Sequence, residues 1–226
     1  MCEGWIVSAS DKISDLTGKA RIRNAALHLF SVRGYANTSL RQIAHRAGVS
    51  LSLVTHHFYS KEQLKLAVDH AVLASFEQAI DSVLATTMRS VDEVAARMAE
   101  AIGEVIGTRP EVRSYIRRAV FDQVAITDTS LMERLLELMD ATLARMYRAG
   151  ILRRDAESHW RPAQMLLLTF GPVVFDWLLK PHTPETANSE TMRTRCQSGL
   201  RLLMHDLSMS PPYFGADSRG TRINNA

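Results

Sequence analysis

The chain has 226 residues, enough for one large or two small domains, and 46% of them are apolar, enough to fill a sizeable core. The formal charge is only +3, which excludes a uniformly polycationic chain and leaves the placement of charge as the informative quantity. Cys2 and Cys196 are the only cysteines, so no disulfide framework or thiolate zinc site is written here, and the opening MCEGWIVSASDK has neither the basic nor the apolar stretch of a signal peptide.

Residues 1–16 are expected to form a flexible arm. It is not basic, because Lys12 faces Asp11 and Asp15. Residues 17–33 predict an amphipathic helix with Ile22, Ala26, Leu29 and Phe30 on one face. Gly34 ends it, and Tyr35 can pack back on it.

Residues 38–61, TSLRQIAHRAGVSLSLVTHHFYSK, predict two short helices joined by a tight turn. Thr38 can cap the first, whose stripe is Leu40, Ile43, Ala44 and Ala47. Gly48 supplies the left-handed residue that ends it, and Val49 is expected as a buried plug. Ser50 caps the second helix, with Leu53, Val54 and Phe58 inward. That is a helix-turn-helix, whose second helix lies in the DNA major groove. Charge agrees. From Leu16 to Lys61 there are seven basic and no acidic residues, so the other 20 basic and 24 acidic groups leave the rest at −4. Ser50, Leu51, Ser52, Thr55 and His56 are the expected base-facing residues. Thr38, His57 and Lys61 are expected to hold phosphates, with Arg41 beside them. His56 and His57 are adjacent, about 100° apart on a helix, so they do not suit a shared metal, and no metal site is expected.

The segment GYANTSLRQIAHRAGVSLSLVTHHFYSKEQL resembles the N-terminal domain of the TetR family of bacterial transcriptional regulators. The likeness covers about residues 19–68 and rests on the glycine-aromatic pair, the IA…AGVS core, the HHF ending and the SKE start, all in order. Thr55 stands where the family usually has tyrosine, so a phosphate contact from that position is weaker or altered.

Ser60-x-x-Gln63 is a capping box that opens a long helix to about residue 85. It is the only covalent rod between reader and body, so any allosteric response is expected to pass along it. Ser90-x-x-Glu93, Thr108-x-x-Glu111 and Ser130-x-x-Glu133 are three further capping boxes, each before an apolar period near 3.6. The last of these helices closes at Gly150. No strand-like alternation, repeat or low-complexity tract occurs.

Residues 160–180 are apolar nearly all round, and Pro172 should kink them. The apolar run 163–179 holds Gly171-Pro172 and Asp176 and sits at the short limit for spanning a bilayer, so a buried interface helix is expected and no membrane partner. A last helix near residues 184–207 shows Met192, Cys196, Leu200, Leu203 and Leu207, with Gly199 allowing close approach. Two helices this apolar predict a homodimer interface, and the TetR resemblance implies the same, as a four-helix bundle. Residues 208–226 are expected as a disordered tail.

The expectation is therefore an all-α chain: a helix-turn-helix DNA reader at 17–60 and a ligand-binding, dimerising body at 61–207. Its expected function is cytoplasmic, ligand-responsive transcriptional regulation, most readily repression, as the resemblance implies. The expected partners are double-stranded DNA with an inverted-repeat operator, a second copy of the chain, and a hydrophobic or amphipathic small-molecule effector. Tyr115, Asp122, Met146 and Phe170 are expected to line the effector pocket. No cofactor is implied, and no GxSxG, Walker, HExxH or dinucleotide motif occurs. The alternatives are a helical DNA-binding protein without effector, or a helical enzyme.

Overall fold

The computed structural model describes residues 9–86, 90–121, 130–152 and 159–175, with positions 190, 191, 194, 195, 198, 199, 201 and 202; side chains are described from Thr17 onward. Among the described residues there are eight helices and no strand: α1 Ala9–Arg33, α2 Leu40–Ala47, α3 Leu51–Phe58, α4 Lys61–Leu84, α5 Val91–Thr108, α6 Pro110–Phe121, α7 Leu131–Arg148 and α8 Arg161–Val174. The isolated positions from 190 to 202 are also helical. No helix is long and apolar enough to cross a membrane, among the described residues.

Helix α1 begins at Ala9, so residues 9–16, expected in the flexible arm, are helical. Its far end is closed by Gly34 at φ 81°, and Tyr35 packs on Phe30 with ring centroids 5.4 Å apart. Ser60, Ser90 and Ser130 cap α4, α5 and α7 as their spacing predicts, each hydroxyl accepting from the backbone N–H three residues on. Thr108 does not cap α6. It is the last residue of α5, and its hydroxyl turns back to donate to the Glu104 carbonyl.

One hydrophobic core runs through reader and body. Helix α4 packs on α1 at its start and on α5 and α7 further along. Leu64, Val68, Val72, Phe76 and Ile80 are its buried stripe. Helix α8 packs on α6 and α7, and Phe170 meets Phe76 edge to face at 5.1 Å. Pro172 lies inside α8 and cannot donate to the Leu168 carbonyl four residues back. Gly199 packs against that same carbonyl, with room for a Cβ only at 3.1 Å, so the close approach expected of Gly199 is made to α8. Met192, Cys196, Leu200, Leu203, Leu207 and the tail at 208–226 lie outside the described residues.

Reader and body touch by more than the covalent rod. Helix α6 lies along α1. Arg118 of α6 donates to the carbonyls of Ser31 (2.9 Å) and Val32 (2.7 Å), the last turn of α1, where a cation suits the helix dipole. Asp69 of α4 is 3% exposed and accepts from Tyr115 Oη of α6 at 2.6 Å and from Lys65 Nζ at 2.7 Å. The expectation that α4 alone links the two parts is therefore too narrow.

Candidate nucleic-acid interface

The reader is assembled from local capping chemistry. Ser39, not Thr38, caps α2. Its Oγ accepts from Gln42 N–H at 3.3 Å, and Gln42 Oε1 accepts from Ser39 N–H at 2.9 Å. Ile43, Ala44 and Ala47 bury the inner face. Gly48 turns the chain at φ 64°, and Val49 is half-buried rather than a full plug. Arg21 of α1 then fastens the turn, its Nη2 donating to the Ala47 carbonyl at 2.6 Å and to that of Gly48 at 3.3 Å. A Cβ on Gly48 would lie 2.9 Å from that nitrogen, so both backbone angle and space call for glycine. Ser50 Oγ accepts from Leu53 N–H at 3.1 Å and starts α3, which buries Val54 and Phe58.

That burial decides what α3 offers outward. Ser50, Leu51, Ser52, Thr55 and His56 are all exposed, as their assignment to base contact requires. The Thr55 hydroxyl donates back to the Leu51 and Ser52 carbonyls at 3.3 and 3.0 Å. What it presents is a methyl group and an acceptor oxygen, suited to a thymine methyl or an exocyclic amine.

The expected phosphate set changes more. Thr38 is 2% exposed, and its hydroxyl donates to Gly34 O at 2.8 Å; this side chain holds the end of α1 and cannot reach a phosphate. Its neighbour Ser39 has taken the cap, which frees Thr38 to turn inward. His57 is half-buried, with Nε2 buried against α1 near Gly18. That nitrogen does not face outward either. Arg41 is exposed on the first turn of α2. Lys61 stands at the first position of α4 with Nζ 4.1 Å above the Tyr35 ring. Partial burial lowers its pKa, against the attraction of Glu62. Tyr35 donates to Glu62 Oε1 at 2.9 Å, and backbone and Ser60 hydrogen bonds hold that carboxyl below its usual range. Burial and Glu62 push the Tyr35 phenol up, so it stays a donor. The cluster fixes the start of α4, where helix dipole and ammonium together attract an anion.

Two exposed groups escaped the sequence reading. Lys19 lies 5.7 Å from the Phe58 ring centroid, beside the end of α3. Tyr59 is 84% exposed at φ 50°, with Ser60 N–H bonded to the Phe58 carbonyl across it. That is a tight reverse turn usually strained for a bulky residue. A charge count names Lys19 but not its place, and no sequence signal marks the turn at Tyr59.

Of the expected pocket residues, Met146 and Phe170 are buried within the body, and Asp122 lies outside the described residues. Tyr115 is buried too, but against Asp69 and 6.5 Å from Phe30, at the joint between reader and body. Its hydroxyl needs a buried acceptor and finds one there.

A family model described as bacterial regulatory proteins, tetR family, matches residues 22–68. The chain is 31% identical over 196 residues to the HTH-type transcriptional regulatory protein RaaS of Mycobacterium tuberculosis, covering 86% of this chain and 82% of that one. Its fold is similar to the fatty acid degradation regulator FadR from Bacillus halodurans, with TM-score 0.60 and 16% identity over 84% of this chain and 96% of that one. It is also similar to a gamma-butyrolactone receptor, an ArpA-like protein, with TM-score 0.55 and 20% identity over 85% of this chain and 99% of that one. At those identities the last two likenesses are of fold.

Proposed function

This chain belongs to the TetR family of bacterial regulatory proteins, and on that premise we propose that two copies of it read an inverted-repeat operator and release it when a hydrophobic small molecule binds the body. That it is a DNA-binding transcriptional regulator, and not an enzyme, follows from the family. The observation that carries the rest is the outward row Ser50, Leu51, Ser52, Thr55 and His56 on a helix whose other side is locked into the core.

In this reading those five residues meet base edges, while Lys19, Arg41 and Lys61 meet phosphates. Dimerisation uses α8 and the helical positions after residue 190, where Leu167 and Leu202 are 64% and 68% exposed in the single chain. A regulator of this kind works where bacterial DNA is, in the cytoplasm. The effector sits among α4 to α8, beside Met146 and Phe170. Met98, Met139, Met146 and Met165 are all fully buried there, and their soft side chains adapt to varied ligands. The names of the two structural neighbours, one a fatty acid degradation regulator and one a lactone receptor, support that ligand class.

Release works by tilting α1 and its neighbours through both α4 and the α6 grip on α1. A 100-fold loss of DNA affinity needs about 2.7 kcal/mol of coupling, and linkage makes it reciprocal. A fatty acid or lactone that raises Tm should therefore bind about 100-fold more weakly when operator is present. Calorimetric titration with and without operator checks this, and equal affinities would end the allosteric reading.

A further inference from the structure

Beside the DNA-reading face, an open cleft of about 840 Å³ lies between α1, the C-terminal end of α2 and the start of α6. Four guanidinium groups line it: Arg21 and Arg23 from α1, Arg46 from α2 and Arg109 from the residue before α6. Among the described residues the single acid in its wall is Glu111, and that carboxylate lies 3.6 Å from His28. Arg21 Nη2 donates to the neutral carbonyls of Ala47 and Gly48, and no carboxylate pairs with Arg21 among the described residues. Arg23 Nε is buried with no hydrogen-bond partner among the described residues. Neither Arg46 nor Arg109 has an acidic partner among them.

Like charges gathered around one cleft repel, and among the described residues Glu111 is the one carboxylate set against the four. Guanidinium forks match phosphate oxygens two at a time, and this volume is of the order of a small-molecule site. We propose that the cleft binds a small polyphosphorylated anion, of the class that carries two or more linked phosphates. Among the described residues no Phe, Tyr or Trp lines it, so the phosphates and not a stacked ring are what it recognises. No residue of α3 lines it either, which separates it from the base-reading face. The cleft also lies outside the interior of α4 to α8 where the hydrophobic effector is placed, so either site can fail without the other. Its walls come from both the reader and the body. An anion bridging Arg46 and Arg109 would pin α2 to the start of α6 and hold one relation between the two.

The test is calorimetry of the full chain with sodium tripolyphosphate, against sodium sulfate at matched ionic strength. One saturable site per chain is expected for tripolyphosphate. Arg109→Gln and Arg23→Gln should each weaken it at least tenfold, and Arg148→Gln, an exposed cation on α7, should leave it unchanged. Glu111→Gln should tighten it several-fold, a gain that misfolding cannot mimic. No saturable binding, equal binding of sulfate, or wild-type affinity in the two arginine variants would overturn the proposal. So would a fall in the salt slope of random-duplex binding by about one per chain in Arg109→Gln, which would make the cleft a DNA-backbone contact.

Discussion

Replacing Asp69 with alanine should lower the unfolding free energy by about 3–5 kcal/mol, the usual cost of breaking a buried charged pair. The carboxylate is 3% exposed and serves two donors on two helices. Its loss strands the Lys65 ammonium, whose side chain is 15% exposed, and the Tyr115 hydroxyl. Burial, with Asp69 beside it, pushes the Tyr115 phenol well above its ordinary pKa, so the hydroxyl cannot escape by ionising. For a chain this long the change corresponds to a fall in Tm of about 6–20 °C. Tyr115→Phe should cost less, about 1–3 kcal/mol, because Lys65 still serves the carboxylate. Urea unfolding of both variants gives the order. An Asp69→Ala protein within about 1 kcal/mol of wild type would mean that the joint between α4 and α6 is wet rather than buried.

Operator affinity should collapse with salt. If each of two chains sets Lys19, Arg41 and Lys61 on phosphates, six contacts are made, and affinity should fall about 10³-fold between roughly 50 and 200 mM salt. Lys61→Ala should reduce the slope of log affinity against log salt by about two for a dimer, equally on every sequence. The position is a demanding one: Lys61 already holds its charge partly desolvated over Tyr35, ready for an anion at the start of α4. Titrations at four or five salt concentrations measure the slope. An unchanged slope in Lys61→Ala would remove that residue from the phosphate set.

What the sequence made legible is what neighbours decide. Ser50, Ser60, Ser90 and Ser130 each cap within three residues, and Gly34, Gly48 and Gly150 each close a helix at positive φ. Where two hydroxyls stand side by side, local pattern does not choose between them. Ser39 took the cap and Thr38 turned to carbonyls of α1, a contact made only after α1 and α2 pack. The acceptor of Tyr115, Asp69, lies 46 residues away, so no local pattern pairs the two. The grip of Arg118 on α1 and the four-arginine cleft are equally non-local: both need α6 laid along α1, which no single helix encodes. The exposed row on α3 was legible because Val54 and Phe58 fix which side is inside.

Selection of the full-length protein on random duplex DNA tests the central claim most directly. The expected result is one enriched inverted repeat, its half-sites about 34 Å or a multiple of that apart. Repeating the selection with Ser52→Ala and His56→Ala should shift the preferred bases within each half-site, by about 1–3 kcal/mol per lost contact. Recovery of DNA with no common sequence would contradict the reading of α3 as the base-facing element, and so would a recovered sequence that neither substitution alters.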